Sequence, residues 1–337
     1  MNFVRNSLKK SSLLLVIAIL TLSSACANEL QTTESANGYP LTIENCSRMI
    51  TIEKPPENIY VIGGEAGTIV HAAGGSDLVG TFSPLIDEPL GDAEDALKSA
   101  NLNPIQTATD MSREMIIGSD ADLLVTFGVS GFDPEDLESV GIPTYIINGY
   151  CGGFGAGQST IENPIEGIFE DINALGEIFS TQDVAESAVE DFRDRVEAVN
   201  ILASESSTST ISTAALFVSG TDTGIGAYGN RSMLHQQMEY LGLSNIFEDT
   251  NERYFEPSIE SFINEEPERI IALFEPGDIT EEDVIASLTN RKDITDVPAI
   301  VSENIIVLDF FYSGHGTLAI DGLEILMELI QAESELE

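Results

Sequence analysis

Arg231 and Arg253 are the first residues to weigh for chemistry, because cations are scarce in this chain. Its 14 Lys and Arg face 57 Asp and Glu, a formal net charge of −43. Either guanidinium can pair with an anionic ligand oxygen, or with the acids around it. The three histidines are scattered. His71 falls in an apolar helical stretch and reads as structural, and His235 sits beside Gln236 in a hydrogen-bonding role. His315 lies in Ser313-Gly314-His315-Gly316, a loop after a strand. Their spacing forms no zinc motif. HExxH, a P-loop and a Ser-His-Asp order are all missing from the sequence, which gives catalysis little support. Gly224-Ile225-Gly226-Ala227-Tyr228-Gly229 matches the dinucleotide fingerprint, but its first glycine lies six residues beyond Val218, the last apolar residue of its strand. It cannot make the tight strand-to-helix turn that a phosphate needs, and reads instead as a loop at a cleft edge.

Aromatic side chains gather just past predicted strand ends: Phe82, Phe127, Tyr228, Phe274, Phe311 and Tyr312. Ligands of open α/β sheets bind at those ends. The strands that position them are short apolar runs, Ile59–Ile62, Gly80–Phe82, Asp122–Phe127, Thr144–Ile147, Ala214–Val218, Glu268–Leu273 and Ile305–Leu308. Helical patterns separate them, and an alternating pair near Leu41–Ile43 and Met49–Ile52 reads as a hairpin. Between the two sets of strands lies a helical run from Asn163 to about Ser204. Asn163-Pro164-Ile165-Glu166 is a helix start. Ile165, Ile168, Phe169, Ile172, Leu175 and Phe179 then mark one face of a 3.6-residue period. Ser180-Thr181-Gln182-Asp183 offers a second cap, after which the pattern continues as a stiff spine.

The two halves are alike. Ser112-Arg113-Glu114 and Ser258-Ile259-Glu260 each open a helix, and eight residues after each glutamate an acid precedes a hydrophobic strand. Such a repeat predicts two Rossmann-like α/β lobes with parallel-rich sheets, joined by one long helix. The boundaries expected are a signal peptide over 1–25, a tether over 26–38, an N-terminal lobe over 39–160, a linker helix over 161–180 and a C-terminal lobe over 181–337. A cleft between the lobes is the natural ligand site.

Arg5, Lys9 and Lys10 precede the apolar run Leu13–Leu22, an export signal too short to be a stable span. The remaining chain has 57 acids against 11 basic residues, near −46. That surface repels nucleic acid and anionic lipid headgroups, and suits a salty exterior. Ser23-Ser24-Ala25-Cys26 resembles a lipobox with Leu22 one position early, which assigns Cys26 to lipidation on the outer face of the cytoplasmic membrane. Ala25-Cys26-Ala27 also fits ordinary signal cleavage. Either way Cys46 and Cys151 remain as a pair in an oxidising compartment and are expected to be bridged.

Together these residues resemble the substrate-binding lipoproteins of bacterial ABC importers, of the iron–siderophore/cobalamin type (class III periplasmic binding protein-like). The carriers are Ile43-Glu44-Asn45-Cys46, Pro55-Pro56-Glu57, the helical spine and the two Ser-x-Glu motifs. Ala227-Tyr228-Gly229 with Ser232 and His235, and the Cys46/Cys151 pair, resemble an actinobacterial-type branch. The resemblance implies a monomer that delivers its ligand to a permease dimer with its ATPase, with Glu114 and Glu260 docking into arginine pockets. It implies a chelate ligand, no cofactor, no catalysis, and a pocket drawn from Phe82, Phe127, Tyr228, Arg231, Arg253, Phe274, Tyr312 and His315. Trp is absent and Arg is scarce, which disfavours a highly anionic tricatecholate and favours a ferric hydroxamate. The alternatives are a haem carrier using Tyr228, Tyr312 or His315 as axial ligand, or a cobalamin carrier. A zinc-binding protein or an extracytoplasmic hydrolase is the alternative of a different class.

Overall fold

Cys46 and Ser47, both in the left-handed region (φ 52° and 60°), turn β1 (Leu41–Asn45) into β2 (Arg48–Ile52), and the two strands pair antiparallel. The computed structural model describes residues 38–334 apart from 129, 154–160, 206–210, 220–224 and 278. Residues 1–37, on which the expected signal peptide, Cys26 and most of the expected tether fall, therefore lie outside the described residues, as does Gly224 of the glycine motif.

Strand and helix then alternate as β3 (Ile59–Ile62), α1 (Gly64–Ala72), β4 (Val79–Ser83), α2 (Ala93–Leu97), β5 (Asn101–Leu102), α3 (Arg113–Ile117), β6 (Leu123–Thr126), α4 (Pro134–Glu138) and β7 (Thr144–Ile146). These strands form a parallel sheet in the order β5-β4-β3-β6-β7. Every residue of β3, β6 and β7 is buried. Parallel strands covered on both faces are continuous apolar runs for this reason.

The expected spine is two helices, α5 (Pro164–Phe179) and α6 (Gln182–Glu205). Ser180 adopts a left-handed conformation, with Thr181 N–H donating to Gly176 O and Ser180 N–H to Glu177 O, a Schellman stop. The chain then reverses. Arg193 of α6 returns to pair with Glu166 and cover the Phe169 ring at the start of α5. A continuous rod to Ser204 is thus corrected to a helical hairpin, and the break falls at the second cap that the sequence contains. The connection is α5 itself, about 24 Å long at 1.5 Å per residue. Its six periodic apolar residues are all buried, each contributing about 1.5–3 kcal/mol.

The second set comprises β8 (Ser212–Phe217), β9 (Gly226–Tyr228), α7 (Met233–Tyr240), β10 (Ser244–Asn245), β11 (Tyr254–Phe255), α8 (Ile259–Asn264), β12 (Arg269–Phe274), α9 (Glu281–Thr289), α10 (Pro298–Val301), β13 (Ile305–Asp309) and α11 (Leu318–Ser334). The sheet runs β11-β9-β8-β12-β13. Its centre is parallel, β9 and β11 are antiparallel, and β10 pairs with the start of β8. One core is continuous from the first sheet through α5 to Ile271, Leu273 and Leu308 on one face of the second sheet. A separate core covers the other face, with Phe262, Ile270, Ala272 and Val284. The first core thus joins the two sheets, and any parting of the sheets has to open part of it.

Candidate functional site

Gly63 and Gly64 follow β3 directly, so α1 begins at the C-terminal edge of the first sheet, where its first acid, Glu65, enters the space between the sheets. Glu65 is buried. The Tyr150 hydroxyl donates to its Oε1 at 2.8 Å, and the His315 backbone N–H donates to its Oε2 at 2.6 Å. Tyr150 comes from the turn after β7, whereas His315 comes from the loop between β13 and α11. Tyr150 is flanked edge-on by Phe127 (5.6 Å between ring centres) and by His315 (5.2 Å). The Arg253 guanidinium lies 5.1 Å from the centre of the same ring, within cation–π range. A run of edge-to-face rings continues on the second sheet from Tyr228 through Tyr254 and Phe217 to Phe310 and Phe311.

The electrostatics follow from dryness. Burial raises the Glu65 carboxyl, pushes the Tyr150 and Tyr228 hydroxyls above their ordinary values and depresses His315. Among the described residues, His315 Nδ1 finds no hydrogen-bond partner. Glu88 accepts from the Gly64 and Glu65 N–H groups, orphan donors at the start of α1, and from the Leu85 N–H after β4. Burial and the nearby Glu65 carboxyl still lift Glu88 to about 7.

A second buried acid supports the site from behind. Asp171 of α5 accepts from the Tyr145 hydroxyl (2.7 Å) and from Asn148 N–H (2.8 Å), which fixes the turn carrying Tyr150. Desolvation raises it to about 8. The unfolded chain releases such protons near pH 4, so between about pH 4 and 8 the folded state holds more protons. Stability then falls as pH rises through that window. The thermal midpoint should be higher at about pH 5.5 than at about pH 8.5, and Asp171→Asn should flatten that slope. An equally steep slope in the variant would show that Asp171 titrates normally.

The eight residues expected to line the pocket do not all gather here. Phe127, Tyr228, Arg253 and His315 meet in or beside the crevice. Phe82 is fully buried within the first core, and Phe274 belongs to the core on the other face of the second sheet. Arg231 is engaged outside, donating to Asn251 and pairing with Glu162. Tyr312 is half-buried beside the first core, its carbonyl accepting from Gln237. The other histidines are placed elsewhere, His71 on Ser76 and His235 between Asn245 and Glu239. Among the described residues no three His, Cys, Asp or Glu side chains come together in a metal-binding group. Glu114 and Glu260 are exposed in the first turns of α3 and α8, each helix capped by the serine two positions earlier. Cys46 and Cys151 form a disulfide.

Sequence reasoning missed Glu65, Glu88, Tyr150 and Tyr254. Glu65 had a signal: it is the lone acid in an otherwise apolar helix start, directly after a strand and two glycines. Tyr150 had another, as the aromatic after the strand at 144–146.

Comparison with solved structures gives the same two-sheet architecture. The chain is 29% identical to a protein of an ABC-type Fe3+-hydroxamate transport system from Saccharomonospora viridis, with a TM-score of 0.72, covering 86% of this chain and 98% of that one. A periplasmic haem-binding protein from Roseiflexus sp. RS-1 is 20% identical, with a TM-score of 0.62 over 80% and 96% of the two chains. The periplasmic vitamin B12-binding protein of Vibrio cholerae is 18% identical, with a TM-score of 0.59 over 82% and 98%. Comparison with curated proteins gives no match. Residues 86–311, well over half of the sequence, match the family model for periplasmic binding proteins. With two α/β sheets facing a buried aromatic crevice and bridged by α5, the chain belongs to the periplasmic binding protein family.

Proposed function

We propose that this protein is the solute-binding component of an ABC importer and captures a ferric siderophore of hydroxamate chemistry between its sheets. The observation that carries the reading is the composition of the crevice: Arg253 set over the Tyr150 ring and electrostatically coupled to Tyr228, with Glu65 and Glu88 behind it. A strongly anionic ligand needs several cations to offset its desolvation. One guanidinium beside two carboxyls suits a neutral or weakly charged chelate, whose organic shell the rings can cover. The 29% likeness to a protein from a ferric hydroxamate transport system supports the same chemistry. The protein binds and releases without transforming its ligand. Glu114 and Glu260 dock it on a permease dimer, and lipid on Cys26 holds it at the membrane as a monomer.

Native mass spectrometry of the purified protein against ferric hydroxamates, ferric tricatecholates, haem and cobalamin tests this. A one-to-one complex with a hydroxamate, at least tenfold tighter than with the tricatecholate, is expected. Preference for haem or cobalamin would replace the hydroxamate reading, and binding of none of them would remove the transport reading.

A further inference from the structure

The buried Glu65 carboxyl does more than line the crevice, because its two oxygens are bound from opposite sides. Oε1 takes the Tyr150 hydroxyl from the first sheet's side, and Oε2 takes the His315 N–H from the second. One helical turn later Thr68 repeats the pattern. Its Oγ1 donates to Glu65 O at 2.8 Å and accepts from Thr317 N–H at 3.1 Å. Two consecutive contacts from α1 thus hold the 315–317 loop by its backbone.

The loop can approach this closely only because it carries glycine. A methyl group on Gly316 would stand 2.7 Å from the Glu65 Cα and 3.0 Å from its carbonyl oxygen. On the other side, a methyl group on Gly149 would stand 2.1 Å from the His315 ring. His315 is therefore gripped between the turn bearing Tyr150 and the start of α1. Arg253 adds a third link across the gap, lying over the Tyr150 ring whose hydroxyl holds Glu65.

We propose that Glu65 is the positioning residue of a latch, in which its carboxyl and the Thr68 hydroxyl pin the backbone of residues 315–317 across the crevice floor and so set how far the two sheets part. A ligand against Arg253 touches the latch through Tyr150, so the latch governs ligand retention. That consequence rests on the transport reading, whereas the latch itself does not.

Amide hydrogen exchange on the unliganded protein, read site by site, tests the latch directly. In the wild type the His315 and Thr317 amides should be strongly protected although they lie in a loop; free exchange at both overturns the proposal outright. Glu65→Ala should speed exchange at His315 more than tenfold while β12 amides such as Ile271 and Leu273 keep their rates. Glu65→Gln retains a carbonyl acceptor for His315 and an amide donor for Tyr150, and should stay within about threefold of wild type. Thr68→Val should release Thr317 but not His315, which keeps the test available if the alanine variant fails to fold. A His315 rate unchanged in Glu65→Ala, or rising only in step with β12, would overturn the latch. With a linear ferric trihydroxamate as probe, Glu65→Ala should raise the dissociation rate about tenfold. If the wild type binds no chelate, the transport reading fails and exchange alone judges the latch.

Discussion

Exchanging Glu114 and Glu260 together for lysine is expected to abolish ligand uptake while leaving ligand affinity within about twofold. Both carboxylates are exposed on first helical turns, where Ser112 and Ser258 accept from backbone N–H groups three residues on. The positive end of a helix favours an acid there, so each lysine costs the fold only about 0.3–1 kcal/mol. Neither α3 nor α8 supplies a crevice residue, which is why affinity should hold. Docking is different. Breaking one buried charge pair at an interface costs about 2–5 kcal/mol, and a lysine facing an arginine adds repulsion. Two such losses exceed about 4 kcal/mol, some three orders of magnitude in permease affinity. Uptake into vesicles carrying the permease and its ATPase is the measurement, with chelate titration of each variant alongside. Uptake at the wild-type rate by the double variant would reject the docking role. A single reversal should weaken uptake by tens of fold, since each sheet's contact contributes separately.

Legibility in the sequence followed the physics of each signal. Strands covered on both faces are short continuous apolar runs, so β3, β6, β12 and β13 were legible, as was the face of α5 set by Ile165, Ile168 and Ile172. The pairs at β9, β10 and β11 were not legible, because two- and three-residue strands have no period. The break at Ser180 was half legible: its cap signal was present, but the apolar pattern continued through it. A left-handed serine is a conformational choice that periodicity does not encode. The site was readable only where side chains sit at strand ends. Position past a strand found Phe127 and His315, but the same rule also gave Phe82 and Phe274, which point into cores. Which face of a sheet a terminal residue takes depends on register, and register requires the partner strands. Glu65 escaped because a buried acid resembles an ordinary helix-start acid until its two partners, 85 and 250 residues away, are known.

Replacing Cys46 and Cys151 by serine should lower stability by about 4 kcal/mol. The bridge closes a sequence separation of 105 residues, and constraining a loop of that size in the unfolded chain is worth about 4.7 kcal/mol by loop entropy, with native losses of about 2–5 kcal/mol. Other contacts hold the β1–β2 hairpin in the folded state. Asn45 exchanges two hydrogen bonds with Ile146, one donated from its amide and one accepted from the backbone, and Arg48 pairs with Glu138 and donates to Thr144 O. The variant should therefore still fold, and the main effect should appear in the unfolded state. Urea unfolding is expected to show a lower midpoint together with a larger m-value, since the released chain expands. The hairpin has its own cost, because Cys46 and Ser47 are both left-handed without glycine. With the bridge gone, amides of β1 and β2 should exchange faster than those of β3. The change reaches the crevice because Tyr150 precedes Cys151, so ligand release should quicken even where the fold survives. An unchanged urea midpoint on full reduction, with two free thiols counted by alkylation and intact mass, would show that the bridge contributes nothing to the stability of this protein.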